Sequence, residues 1–330
     1  SAVRGGMRLA LVGDVMLGRL VNEALTRLPA VYPWGDVLPV LRAADAVVVN
    51  LECVLANRGR PQPGKTFTFR SDARNVAVLT AAGVRAVSLA NNHTLDYGEA
   101  ALVECLTVLD RAGIARAGAG RTLEEARAPA MIQAGDSVLA LLAFTDNEPG
   151  WAATTDRPGV WYVPVDDPDG PAFRALLAAV AGARGAADLV IVSAHWGPNW
   201  GLAPPLDHRE AARRLLEAGA GVVYGHSAHV VRGATWDAGG VVLYSCGDFV
   251  DDYAVDPVQR NEWSFVFLLD VRAGRVEGVR LVPTVIRDCQ ARLARGAERE
   301  AIMRRMQRLC ADLGTETRCT RDGLDLVAPH

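Results

Sequence analysis

Five apolar runs rich in valine and alanine stop on residues that carry ligand chemistry. LALVGD ends in Asp14, VVVNLE in Asn50 and Glu52, AVSLANNH in Asn91, Asn92 and His93, VIVSAH in His195, and VVYGHSAH in His226 and His229. Short apolar runs bounded by polar punctuation read as buried strands. Amphipathic stretches at 20–28, 99–112, 173–183 and 209–218 alternate with apolar runs, including 84–89, 138–144 and 189–193, which predicts an α/β layered fold. In such a fold the loops after the strands gather side chains from distant parts of the chain at one edge of the sheet. The polar residues at the run ends are therefore expected to converge.

Composition narrows the function classes. With 330 residues, 50% of them hydrophobic and 22% charged, the chain is long enough to bury a large core. A formal net charge of −3 and an isoelectric point near 6.1 give no electrostatic reason to expect a nucleic-acid partner. No apolar run approaches the roughly 20 residues that span a bilayer, so no membrane partner is expected and the chain reads as soluble and cytoplasmic. Residues 1–6 are polar and glycine-bearing, lack a signal-peptide core, and read as a ragged leader before Met7. Cys53, Cys105, Cys246, Cys289, Cys310 and Cys319 form no CxxC pair and are expected to be mostly buried free thiols, with a Cys310–Cys319 pairing left open.

After Gly240 the segments 241–245, 263–271 and 276–283 read as strands joined by short turns, which predicts an antiparallel section. A helix is expected over 298–309, with loosely structured residues beyond it. No low-complexity linker or short repeat interrupts the chain. One continuous domain is expected, with 7–290 as its body and 291–330 as a terminal helix and tail packed on it.

Each run end taken singly has an ordinary explanation. An aspartate after Val-Gly caps turns, a lone histidine at a strand end is commonly structural, and Glu52 reads as a loop carboxylate. Five such ends, holding four of the six histidines, instead point to one metal centre. Its candidate ligands are Asp14, Glu52, Asn92, His195, His226 and His229. Nitrogen and oxygen donors without thiolate suit divalent Zn, Mn, Fe, Co or Ni and, with less imidazole, Mg or Ca. A carboxylate such as Glu52 can bridge two ions in a bimetallic clamp.

The segments Gly13-Asp14-Val15-Met16-Leu17-Gly18-Arg19, Asn50-Leu51-Glu52, Ala90-Asn91-Asn92-His93-Thr94-Leu95-Asp96-Tyr97-Gly98, His195-Trp196-Gly197 and Gly225-His226-Ser227-Ala228-His229-Val230-Val231 closely resemble the CapA/PgsA family. That family is named for poly-γ-glutamate capsule synthesis and belongs to the calcineurin-like metallophosphatase superfamily. The resemblance covers about 7–249 and implies a single-domain, four-layer α/β/β/α metallophosphatase-like sandwich with two metals at the strand ends. It implies Asp14 as the first aspartate ligand, Glu52 as the bridge and Asn92 as a ligand with His93 beside it as general acid. His195 matches the isolated histidine, and His226 and His229 the closing pair. Met16 stands where the superfamily has a histidine, so one subsite is expected to be weaker or to take a harder ion. The closing histidines are separated by two residues instead of one. Cys246-Gly247-Asp248-Phe249 replaces Leu-Gly-Asn-Phe, which leaves Asp248 as an extra ligand, a general base or a turn residue.

Gly64-Lys65-Thr66-Phe67-Thr68-Phe69-Arg70 also resembles a family segment. Lys65, Arg70 and Arg19 are candidates to bind a substrate carboxylate or phosphate; solvated charges on an exposed hairpin are the alternative. Trp151, Trp161, Trp196 and Trp200 are expected in loops beside the site, either walling a substrate pocket or covering the core. A bimetallic centre supports phosphoester hydrolysis, amide chemistry on poly-γ-glutamate, or proton abstraction at the Cα of a bound peptide. A soluble chain of this kind also resembles the peptide epimerases found with lasso-peptide biosynthesis. The leading expectation is therefore L-to-D epimerisation of a ribosomal precursor peptide, with His93, Asp248 and His229 as acid and base groups. Phosphoester hydrolysis is the runner-up, and an accessory role in polymer synthesis is the non-enzymatic alternative. The expected partner is a peptide or small anionic substrate.

Overall fold

A strand buried on both faces must place apolar side chains on both, and Met7–Val15 does so by simple alternation. In the computed structural model, which describes residues 6–329, Leu9 and Leu11 enter one buried cluster while Ala10 and Val12 enter another. Residues 1–5, most of the expected leader, lie outside the described residues.

Among the described residues two large sheets, of ten and six strands, carry this alternation. The first passes through Thr317–Cys319, Leu324–Leu326, Arg275–Arg287, Trp263–Arg272, Met7–Val15, Ala46–Leu51, Val84–Ser88 and Ala115–Ala117, with Asp248–Val250 and Gln290–Leu293 as side branches. The second passes through Ala234–Asp237, Gly240–Leu243, Val222–His226, Leu189–His195, Ser137–Thr145 and Ala130–Ala134.

Three apolar clusters separate the layers. Between the sheets, Leu9, Leu11 and Val48 share a cluster with Leu139, Leu141, Ile191 and Leu243. Outside the first sheet, Ala10, Val12, Val47 and Val49 pack with Leu102, Leu106 and Leu109 of the helix Glu99–Arg111. Outside the second, Leu142, Phe144, Val190 and Val192 pack with Phe173, Leu176 and Val180 of Pro171–Ala186 and with Leu215 of Leu206–Ala218. The architecture is a four-layer α/β/β/α sandwich. Each large apolar side chain so buried contributes about 1.5–3 kcal/mol, which is why one strand needs apolar residues at successive positions.

The section after Gly240 is not one antiparallel unit. Gly240–Leu243 lies in the second sheet, parallel to Val222–His226 and antiparallel to Ala234–Asp237. The chain then crosses to the first sheet, where Asp248–Val250 runs parallel to Met7–Val15. Trp263–Arg272 and Arg275–Arg287 do form the expected hairpin. Short apolar strands look alike in sequence, and only long-range pairing separates the two destinations. The tail differs as well: Thr317–Cys319 and Leu324–Leu326 extend the edge of the first sheet instead of being loosely structured. The helix before them, Gly296–Ala311, turns Ile302, Met303, Met306 and Cys310 into the cluster between the sheets. All six cysteines are free, so Cys310 and Cys319 are not paired. No described helix is long and apolar enough to cross a membrane.

Candidate metal centre

A register shift decides where Asp14 sits. Leu11 pairs with Val48 but Asp14 pairs with Asn50, so one strand carries an extra residue relative to its neighbour, a β-bulge. Gly13 lies inside it, where a Cβ would stand 2.1 Å from the Gly247 carbonyl oxygen. The Asp14 amide donates to that same oxygen at 2.8 Å, and Asp14 is in register with Asp248 on the adjoining parallel strand. Two fully buried aspartates therefore meet at adjacent strand ends.

Asn50 organises the carboxylates. Its Nδ2 donates to Asp14 Oδ1 at 2.7 Å and to Glu52 Oε2 at 3.2 Å, while its Oδ1 accepts from Asn91 Nδ2 at 3.1 Å. Asp248 Oδ1 lies 2.7 Å from His229 Nδ1. Each of the three carboxylates thus has one oxygen held and the other, Asp14 Oδ2, Glu52 Oε1 or Asp248 Oδ2, buried without a hydrogen-bond partner. The ion-pair neighbours of Asp14, Glu52 and Asp248 among the described residues are histidines, not lysines or arginines. Buried carboxylates without a compensating cation are costly.

The histidines arrive by strand pairing. His195 and His226 are in register on neighbouring parallel strands, with their Nδ1 atoms 2.6 Å apart. Ser193 Oγ lies 2.6 Å from His226 Nε2, which orients that ring. His195 Nε2 lies 3.1 Å from Asn92 Oδ1 and 3.8 Å from Glu52 Oε1. Two groups offer ligand atoms that all lie within 4.8 Å of one another: Asp14, His195 and His226, and Asp14, His229 and Asp248. Asp14 is common to both. Glu52, which the resemblance assigns as the bridge, stands beside His195 and 3.9 Å from His93 Nε2.

Burial lowers the pKa of His195 well below the usual histidine range and brings that of His226 to about 4. Burial likewise lowers His93 and His229. Burial first, then the Asp14 charge, raises Glu52; burial and then Asp251 raise Asp248. Neutral imidazoles beside carboxylate oxygens that lack partners form a donor set suited to divalent cations. Met16 is buried in the outer apolar cluster and adds no donor. Asp248 adds one that the resemblance alone left open.

Around the centre, His93 Nδ1 lies 2.5 Å from Asp96 Oδ2. Lys65 sets its ammonium on the other Asp96 oxygen and on the Asn92 carbonyl. Arg70 donates to the carbonyls of Arg58 and Gly59, both at 3.1 Å, and lies over the Tyr97 ring. Both side chains therefore have structural partners within the chain. Arg19 pairs with Asp252. Trp196 is not a substrate wall: it is 0% exposed, its Nε1 donates to the Tyr244 carbonyl at 3.1 Å, and its ring stacks on His208. Trp161 is buried with Trp196 in the cluster outside the second sheet, whereas Trp151 lies over Lys65 and Trp200 is exposed. Asp96, Asp251, Asp252 and Tyr253 escaped the sequence reading as site residues. Asp251 and Asp252 directly follow the strand Asp248–Val250, the same signal that marked the other strand ends.

A family model described as bacterial capsule synthesis protein PGA_cap matches residues 8–253, a span that contains every candidate ligand. The chain is 33% identical to a Mycobacterium tuberculosis H37Rv protein described as a probable polyglutamine synthesis accessory protein, over 97% of this chain and 95% of that one. It is 31% identical to the PGA biosynthesis protein CapA of Bacillus subtilis, over 74% of this chain and 63% of that one. A crystal structure of a hypothetical protein from Thermus thermophilus shares the fold, with a TM-score of 0.51 at 18% identity over 84% of this chain and 98% of that one. A family match over most of the length, together with near-complete coverage of the mycobacterial relative, makes this chain a member of the bacterial capsule synthesis protein PGA_cap family.

Proposed function

We propose that this protein is a metal-dependent enzyme serving the synthesis of a polyglutamate-type polymer, with a binuclear centre that hydrolyses an amide or phosphoester bond of an anionic substrate. The observation that carries this reading is the shared pattern of Asp14, Glu52 and Asp248, each with one oxygen held and one buried without a partner. Asp14, His195 and His226, with Glu52 and Asn92 beside them, would hold one ion; Asp14, His229 and Asp248 would hold the other. Divalent ions bound there supply Lewis acidity and an acidified water. Asn50 and Ser193 keep the ligands oriented. His93 keeps Nδ1 on Asp96 and leaves Nε2 facing Glu52, where it can pass a proton to or from a reacting group.

The relatives speak for polymer synthesis over a ribosomal lasso peptide as the context. Epimerisation at Cα stays a second reading because of one arrangement: His93 with Asp96 stands beside Glu52, and His229 with Asp248 stands beside Asp14. Two histidine–carboxylate pairs at one centre are what an acid and a base need.

One experiment tests both. Manganese-loaded protein and an Asp14→Asn variant are incubated in D₂O with poly-γ-glutamate and with bis(p-nitrophenyl) phosphate. Chain shortening or nitrophenol release that disappears in the variant supports hydrolysis. A one-dalton gain at Cα without bond cleavage favours epimerisation. Equal turnover by both proteins, or no metal uptake under any loading condition, overturns the metal-dependent reading.

A further inference from the structure

We infer that Arg19 forms a carboxylate-binding subsite at the edge of the metal centre and selects substrates bearing a free carboxylate. The inference rests on the reading of the centre as a catalytic site for an anionic chain.

Arg19 is built into place. Its Nε and Nη2 donate to Asp252 at 3.0 and 2.7 Å, and the Leu20 amide donates to the same carboxylate at 2.9 Å. The Asp252 side chain is 0% exposed, whereas that of Arg19 is 31% exposed, so the pair has a buried anchor and an accessible cation. Three rings surround the guanidinium: Phe69 at 4.8 Å, Phe67 at 5.2 Å and Tyr253 at 5.5 Å. The remaining nitrogen, Nη1, has no hydrogen-bond partner among the described residues.

The same rings connect this position to the centre. Tyr253 meets His229 edge-on at 5.3 Å, and Phe69 meets His93 edge-on at 4.7 Å. Arg19 therefore stands behind the two rings that border the two histidine–carboxylate pairs. A guanidinium held by a buried aspartate loses little rotamer freedom when a ligand arrives. With Nε and Nη2 committed, the free Nη1 edge accommodates a small planar anion, and a carboxylate is the anion that a polyglutamate-type chain repeats.

The test uses manganese-loaded protein and fluorescence anisotropy with two probes: end-labelled oligo-γ-glutamate and its uncharged α-carboxamide analogue. Because Arg19→Gln alone strands the buried Asp252 charge, Arg19→Gln is combined with Asp252→Asn, and Arg19→Lys is measured beside it. Wild-type protein is expected to prefer the acid probe. The double variant is expected to lose about tenfold of that preference, the size of one charge-assisted hydrogen bond, with binding of the carboxamide unchanged. Arg19→Lys is expected to fall between them. Failure of the wild type to bind the acid probe, or an undiminished preference in the double variant, overturns the subsite. Binding through Arg19 without turnover keeps the subsite and sinks the catalytic reading of the centre.

Discussion

Lys65 and Asp96 form a largely buried ion pair directly behind His93. Lys65 is the sole lysine of the chain, and its partner holds His93 Nδ1 through the second carboxylate oxygen. Asp96 also accepts from the Phe69 amide at 2.7 Å, so the carboxylate is fixed from three sides. The pair thereby sets the direction of the His93 ring, and Nε2 is left toward Glu52.

Removal of His93, the proposed proton-transfer group, is expected to be severe, and removal of its support milder. His93→Ala should lower kcat by about 10²–10³, within the usual range for general acid–base catalysis. Lys65→Met should lower kcat by about tenfold, equivalent to about 1.4 kcal/mol in the barrier, because Asp96 loses its cation but keeps its amide donor. Steady-state kinetics with elemental analysis checks this. Loss of bound metal in Lys65→Met would show that the lysine supports the ligands through Asn92 and not the histidine.

Asp14 is shared by both ligand groups, whereas Asp248 belongs to one. Asp14→Ala is expected to abolish stoichiometric metal binding, and Asp248→Ala to remove only part of it. Saturating Mn²⁺ should raise the wild-type melting temperature by roughly 5 °C over the chelated protein, because a ligand at a hundredfold excess over Kd adds about 2.7 kcal/mol. Calorimetric melts with and without EDTA measure it. An identical metal content in the two variants would refute the shared role.

Gly13 sets how closely two strands approach. A Cβ there would meet two backbone carbonyls, 2.1 Å from the Gly247 oxygen and 2.6 Å from the Cys246 oxygen. Neither can move without carrying Asp248 away from Asp14. Gly13→Ala is expected to cost about 1–3 kcal/mol or more through overpacking and to lower metal content as Asp248→Ala does. Chemical denaturation and metal analysis decide it; wild-type values in both would mean that the strands separate freely.

His208 predicts a pH dependence of stability. It is 2% exposed and stacks on Trp196 at 4.6 Å, and burial lowers its pKa to about 4 from 6.5. Between those values the unfolded chain takes up a proton that the folded protein refuses. The contribution is therefore fully present above about pH 6.5 and is lost as pH falls toward about 4, amounting to about 3 kcal/mol across the window. His208→Phe keeps a ring on Trp196 and should flatten this part of the stability profile. Equal slopes for variant and wild type between pH 6.5 and 4 would count against it.

The strand ends that supply the candidate donors were legible because their signal is local. Apolar runs ending in Asp14, Glu52, Asn92, His195 and His226 announce strands and their loops, and parallel pairing brings such ends to one edge. Trp196 misled because an aromatic residue next to His195 points to the opposite face of the strand end, into the helix-covered cluster. Asp96 was hidden because its importance lies in a contact with His93 and Lys65 and not in any strand-end pattern.

The sequence by itself determined the alternation of strands and helices in an α/β fold and the donor residues at the strand ends, since side-chain periodicity and strand termination are properties of adjacent residues. The four layers were implied by the family resemblance. Only the tertiary structure decided which carboxylates meet. The bulge at Gly13 brings Asp14 beside Asn50, the crossover after Leu243 carries Asp248 into the first sheet, and Asp252 anchors Arg19 across 233 residues of chain. Backbone close approach and strand register are set by pairing between distant segments, and neither leaves a period in the sequence.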